Sequence, residues 1–196
     1  MANGLVIRNT KAVTPLSSTL DLHSTLVRQS MDGDRLAQYQ LYQLYSKAMF
    51  NICYRMMNSR EEAEDMLQEA FADAFASLHR FRGDSTFGAW LKRIVINKCI
   101  NELKRRKVDL ELRDDIGRFE GAHEDTSHHK DLQLEVARVM EAVKQLPDGY
   151  RVIFSLYLLE GYDHREIAEI LEITESTSKS QYMRAKKKIK QLLTGS

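Results

Sequence analysis

Between Arg35 and Met57 the apolar residues return every three or four positions. Leu36, Tyr39, Leu44, Met49, Ile52, Tyr54 and Met56 fit a broad helical stripe. Asp34 follows the Asp32-Gly33 break and is placed to cap this helix. Upstream, residues 22–31 predict a shorter helix, and residues 1–20 read as a loose leader with little periodicity. Ser59 and Glu62 have capping-box spacing for a helix over 60–79. Its inner face is Ala63, Leu67, Ala70, Phe71, Ala74, Phe75 and Leu78, and its acidic flank is Glu62, Asp65, Glu69 and Asp73. Residues 80–85 form a loop, from which Asp84 or Ser85 caps a helix over 86–107 that buries Phe87, Trp90, Leu91, Ile94, Val95 and Ile100.

The periodicity resumes at residue 132. Leu134, Val136, Val139, Met140, Val143 and Leu146 share a helical face that Pro147 stops. Asp148 can cap a helix through residue 159, which carries Val152, Ile153, Leu156 and Tyr157 and ends at Gly161. A short helix over 164–171 follows, then a turn at Glu172-Ile173-Thr174, then a last helix over 175–193. No alternating pattern of strands appears. The expected class is all-α, with two small helical domains joined by an acidic linker and a helix-turn-helix in the second.

Charge sharpens this division. The whole chain of 196 residues has 29 Lys+Arg against 28 Asp+Glu, a formal net charge of +1. That excludes a uniformly basic packaging protein but not a nucleic-acid binder, because charge can be segregated. Residues 91–107 hold seven basic side chains (Lys92, Arg93, Lys98, Lys104, Arg105, Arg106 and Lys107) against Glu102 alone. A helix dipole accounts for one or two of them, not for a run of four. Residues 108–134 invert the sign, with eight acids and three bases. The expected domains are therefore 21–107 and 132–196, with a linker at 108–131.

With 43% hydrophobic and 29% charged residues, the composition is that of a folded globular chain. No run approaches the roughly 18 apolar residues of a membrane span. The N-terminus has no cleavable signal pattern, because Arg8 interrupts Leu5-Val6-Ile7. The expected location is cytoplasmic, without stable membrane insertion. Cys53 and Cys99 are isolated among apolar residues and read as packing thiols. His123, His128 and His129, with Glu124 and Asp125, have ligand chemistry but no scaffold or HExxH spacing. No metal, cofactor or catalytic residue is expected, and the chain is read as a non-enzyme.

Three constellations point to function. The segment from Gly161 to Lys190 has helix-turn-helix form: Ala168 is small at the helix crossing, Ile173 plugs the turn and Thr174 caps the second helix. That helix presents Ser176, Lys179, Ser180, Met183 and Arg184, which suit base edges and phosphates. Residues 179–190 hold six bases and no acid. The competing reading is a solvated helical hairpin with a basic tail. The second constellation sets Phe81, Phe87 and Trp90 beside Arg80, Arg82 and the bases that follow, a combination suited to stacking separated bases. Its alternative is a plain aromatic core. The third is the acidic flank with Asp65, Gln68 and Glu69, which suits a basic partner helix or is simply a solvated face.

The chain resembles the extracytoplasmic-function sigma factors, small promoter-specificity subunits of bacterial RNA polymerase. SREEAEDMLQEAF at 59–71 and FRGDSTFGAWLKRI at 81–94 look like their region 2. Leu146-Pro147, Tyr162, EIAEIL at 166–171, Thr177 and Lys179-Ser180 look like region 4. The resemblance covers residues 34–107 and 135–193. It implies that Asp65, Gln68, Glu69 and Phe71 dock on the β′ coiled coil of core RNA polymerase, with the β flap as a second contact. It assigns −10 contacts to Arg80, Phe81, Arg82, Asp84, Ser85, Lys92, Arg93, Asn97 and Lys98. It assigns −35 contacts to Ser176, Thr177, Lys179, Ser180, Gln181, Met183, Arg184 and Lys187. It further implies an anti-sigma partner and a free protein that is a monomer.

Two positions depart from the family pattern. Ser178 stands where valine is common, with an expected packing cost at the helix crossing. Gln181 stands where arginine is common and is expected to read adenine instead of holding phosphate. The rival reading is a stand-alone helix-turn-helix regulator that binds operator DNA as a dimer.

Overall fold

A computed structural model describes residues 16–106 and 132–194, and all regular elements among them are helical. In order they are α1 (Leu16–Met31), α2 (Arg35–Met57), α3 (Arg60–Ser77), α4 (Phe87–Arg105), α5 (Leu132–Lys144), α6 (Asp148–Phe154), α7 (His164–Leu171) and α8 (Glu175–Thr194). A 3₁₀ turn, Leu78–Arg80, follows α3, and a π turn, Ser155–Leu159, continues α6. The first helix starts at Leu16, six residues before the expected position and inside the segment read as a leader.

The N-terminal domain packs α1, α3 and α4 around α2. Its α2 is capped as expected: Asp34 accepts from the N–H groups of Leu36 and Ala37. The buried face of α2 differs from the expected stripe. Leu36, Tyr39 and Leu44 are exposed, while Ala37, Leu41, Met49, Ile52, Cys53, Met56 and Met57 are buried. The four-residue step from 37 through 41 to 49 and 53 sets the phase, and small Ala37 lies on it. Ser59 caps α3 by accepting from Glu62 N–H at 3.4 Å. The Glu62 side chain reaches across to Arg106 at 2.6 Å. The cap of α4 is Thr86, one residue beyond the two expected, and it accepts from Ala89 N–H.

Cys53 and Cys99 are both free and fully buried. The hydrogen bond that the Cys99 thiol makes to Cys53, together with burial, pushes its pKa far up, so it stays protonated.

In the C-terminal domain, Pro147 occupies the cap position of α6, not Asp148. Asp148 is the first helical residue, and its carboxylate accepts from Arg151. The α-helix ends at Phe154 and widens into the π turn before Gly161, whose φ of +79° suits glycine. Asp163 and Glu166 form a reciprocal capping box on α7. Glu172 ends α7 in the left-handed conformation, and Thr174 caps α8 by accepting from Thr177 N–H.

The two domains touch through α6. Val152, Ile153 and Leu156, with Ile167 and Leu171 of α7, join the apolar core of the N-terminal helices. Phe154 instead packs with Ala142, Val143, Leu146, Ala185 and Ile189 in a smaller core of α5 and α8. Arg151 is only 4% exposed, and it donates to Leu146 O within its domain and to Met56 O at the end of α2.

Candidate polymerase and nucleic-acid interfaces

The helix-turn-helix is α7, the turn 172–174 and α8. Ile167, Ala168 and Leu171 of α7 are buried, as are Thr177, Ser178, Gln181, Ala185 and Ile189 of α8. The four-residue spacing of 177, 181, 185 and 189 makes one inner stripe. Ser176, Lys179, Ser180, Met183 and Lys187 therefore point outward and are exposed, with Arg184 half-buried at the edge. Two expected −35 contacts are corrected. Thr177 is 9% exposed and Gln181 only 2% exposed, so neither lies on the open face and Gln181 is not placed to read a base.

Ser178 also behaves differently from expectation. It is fully buried, but its hydroxyl is hydrogen-bonded to His164 Nδ1 at 2.9 Å, so the polar atom has a partner. The His164 ring stacks on Tyr157, with centroids 4.4 Å apart, and meets Tyr182 edge-on. Burial first, and the Lys179 charge second, hold the imidazole below its ordinary pKa. Lys179 itself pairs with Glu175 one turn earlier, at 2.6 Å.

The second surface is built from the loop 80–86 and α4. Phe81 is half-buried and packs on Phe87 and Trp90, with centroids 6.1 and 5.3 Å away. Arg80, Arg82, Asp84 and Ser85 are exposed around it. A cleft of about 460 Å³ separates this loop from α1; His23, Val27, Met31, Tyr45, Phe81 and Phe87 are among its walls. Tyr45 OH and His23 Nδ1 are hydrogen-bonded at 2.9 Å. The helix α1 thus forms one wall.

Along α4 the expected strand contacts fall into two groups. Arg93 and Asn97 are exposed. Lys92 pairs with Glu160 at 3.4 Å, and Lys98 pairs with Glu69 at 3.3 Å and Asp73 at 2.6 Å. The hydrogen bond that Lys98 donates to Asp73 raises its pKa, so its charge is fixed and committed to α3. Three of the four bases at the end of the run are paired in the same way, and Lys107 lies outside the described residues. Lys104 meets Glu172, Arg105 meets Glu102, and Arg106 meets Glu62 and Glu102. Arg105 first and Arg106 second lower the Glu102 carboxyl to about 2.

The third surface is the outer face of α3. Asp65, Gln68 and Glu69 are exposed, whereas Phe71 is 3% exposed and meets Tyr42 at a centroid distance of 4.8 Å. Phe71 holds α3 on α2 and is not available as a contact. The histidines at 123, 128 and 129, with Glu124 and Asp125, lie outside the described residues. Among the described residues no helix is long and apolar enough to cross a membrane.

Residues 41–108 match the model of Sigma-70 region 2, and residues 137–189 match Sigma-70, region 4. The chain belongs to the sigma-70 family, in its extracytoplasmic-function group. It is 32% identical to the RNA polymerase sigma-H factor of Pseudomonas aeruginosa, over 89% of this chain and 95% of that protein. It is 31% identical to the ECF RNA polymerase sigma-E factor of Haemophilus influenzae, over 84% and 91% respectively. Among solved structures it is similar to CnrH in complex with the cytosolic domain of CnrY. The TM-score there is 0.53 at 25% identity, covering 89% of this chain and 99% of that one. Similar in fold is the sigma factor RpoE of Bartonella quintana, solved with the anti-sigma factor NepR, at a TM-score of 0.53 and 23% identity over 80% of this chain and 96% of that one. As a sigma factor with regions 2 and 4, the chain is a promoter-recognition subunit of RNA polymerase that works with the core enzyme and promoter DNA. The dimeric operator-binding alternative is not favoured.

Proposed function

We propose that α8 reads the −35 duplex, that the loop 80–86 with α4 captures the opened −10 strand, and that the outer face of α3 docks on the β′ coiled coil. The observation that carries this reading is the exposed Ser176, Lys179, Ser180, Met183 and Lys187 face of α8, in a chain that also matches region 2. A helix behind a tight turn fits the major groove, where hydroxyl and ammonium groups meet base edges and phosphates. Phe81, beside the cleft against α1, offers a stacking surface flanked in sequence by Arg80 and Arg82. Unstacking a base costs a few kcal/mol, which these contacts must offset. Asp65, Gln68 and Glu69 suit a basic partner helix. The β flap is the second contact with the core enzyme in this reading.

The protein catalyses nothing by itself; strand opening is done with the core enzyme. It acts in the cytoplasm, as a monomer when free, and an anti-sigma factor holds it inactive. That partner is favoured by the fold shared with a sigma factor solved with NepR. Reconstitution tests the whole reading. The purified protein, mixed with core RNA polymerase, is expected to co-elute in gel filtration and to open a subset of a promoter-fragment library. Co-elution without selective opening would remove the promoter assignments. No co-elution by folded protein would remove the docking assignment.

A further inference from the structure

A directional side-chain contact ties the recognition helix α8 to the helix before it. Ser178 is fully buried, and its Oγ lies 2.9 Å from Nδ1 of His164, the first residue of α7. The imidazole is itself gripped from two sides. It stacks on Tyr157 of the π turn, 14° from parallel, and meets the edge of Tyr182 of α8 with centroids 5.6 Å apart. Tyr157 and Tyr182 lie against each other at 4.5 Å, so the ring sits in a continuous aromatic cluster. Burial of Ile167 and Leu171 holds α7 in place without fixing an angle, because apolar burial has no direction. A hydrogen bond does fix one, since it weakens steeply off line. Ser178 is followed directly by Lys179 and Ser180 on the exposed face, so any rotation of α8 at Ser178 moves the side chains offered to the groove.

We propose that neutral His164 is a positioning residue for −35 recognition: through Ser178 it fixes the rotation of α8, and protonation of the ring releases it. This rests on the reading of α8 as the −35 reader. In the neutral form Nδ1 accepts from the Ser178 hydroxyl and Nε2 carries the proton. Protonation makes Nδ1 a donor, so the buried hydroxyl loses its acceptor, and it sets a second cation beside Lys179. The titratable groups facing the ring are Tyr157 on the π turn, Asp163 beside it, and Glu175, Lys179 and Tyr182 on α8. Burial and the Lys179 charge outweigh Glu175 and Asp163, so the neutral ring is the standing form at neutral pH.

The test reads base preference in holoenzyme reconstituted from the full chain and core RNA polymerase. The probes are a duplex promoter fragment that this holoenzyme opens and the same fragment with single changes in its −35 element. Preference, the ratio of the two affinities, is followed from about pH 8 to about pH 5. The wild type is expected to lose preference several-fold as the pH falls below the ordinary histidine value. His164→Phe, which keeps a ring to stack on Tyr157, is expected to show a lowered preference that no longer changes with pH. Ser178→Ala should behave alike, and the double variant should be no worse than either single one, because the two residues act as a pair. A wild-type preference that stays constant with pH would overturn the proposal, and that arm needs no altered chain to fold. Losses that add in the double variant would also overturn it. Uniform weakening of His164→Phe on every fragment, with a lower salt slope, would make His164 a phosphate contact instead. Met183→Ala separates the two claims. If it changes the preference while His164→Phe does not, the positioning role alone falls; if neither does, the reading of α8 falls with it.

Discussion

The two candidate DNA-reading faces are built by opposite means. On α8 the outward residues Ser176, Lys179, Ser180, Met183 and Lys187 are exposed, Lys179 pairs with Glu175 of its own helix, and the helix is fixed from behind by Thr177, Ser178, Gln181, Ala185 and Ile189. On α4 the cations are engaged: Lys92 by Glu160, Lys98 by Glu69 and Asp73, Lys104 by Glu172. A duplex groove is present before the protein arrives, so its reader can be standing and rigid. A single strand exists only after opening. A face meant for it can be kept neutralised by the protein's own acids until then. Similar numbers of basic residues along two helices therefore do not mean similar availability.

The largest effect that would break this comparison is removal of Arg151, which ties α6 to Leu146 O, Met56 O and Asp148. Arg151→Ala is expected to cost about 2–4 kcal/mol, because buried acceptors lose a charged donor. Denaturant unfolding measures that loss, and the contact between the domains should weaken with it.

Next come substitutions on the open face. Ser180→Ala or Met183→Ala is expected to alter base preference within the −35 element by about 1–3 kcal/mol at the position contacted. Selection of promoter variants by the reconstituted holoenzyme reads this out. Gln181→Ala should leave the preference unchanged and lower only thermal stability, since that side chain is buried.

A smaller and more discriminating pair sets Lys187→Ala against Lys92→Ala. Loss of one phosphate contact at Lys187 should weaken holoenzyme binding across all promoters and lower the salt slope by about 0.9. Lys92→Ala should weaken binding less, because Lys92 is already paired with Glu160. Salt titrations of the two holoenzymes decide whether the faces differ.

The smallest effect is on pH dependence. His164 has a folded pKa below its unfolded value near 6.5. The unfolded chain therefore takes up the proton first as the pH falls. The stabilisation is complete above that unfolded value and is lost progressively as the pH drops toward the folded one. Thermal unfolding between neutral pH and pH 5 should show this slope, and His164→Phe should reduce it.

Much of the fold is legible in the chain because helix caps and apolar steps are local signals. Asp34, Ser59, Gly161 and Thr174 mark boundaries that the structure keeps. The phase of a helix is harder to read. Leu36, Tyr39 and Leu44 look like core by side-chain type, yet Ala37 and Leu41 set the buried face. In α8 the polar residues Thr177 and Gln181 look like groove contacts, while Ala185 and Ile189, four and eight positions after Gln181, place them inside. Closure of the domains leaves no local mark. It depends on Glu160 meeting Arg55 and Lys92, residues far apart in sequence and brought together only by α6 packing on α2.

The most direct measurement of the account's centre is site-specific photocrosslinking in an open complex, with the crosslinker at Met183 in one protein and at Phe81 in another. Met183 is expected to label duplex DNA upstream, at the −35 element. Phe81 is expected to label the separated non-template strand of the −10 element. Labelling of one common element by both positions, or of duplex DNA alone by Phe81, would contradict the division of work between α8 and the α4 surface.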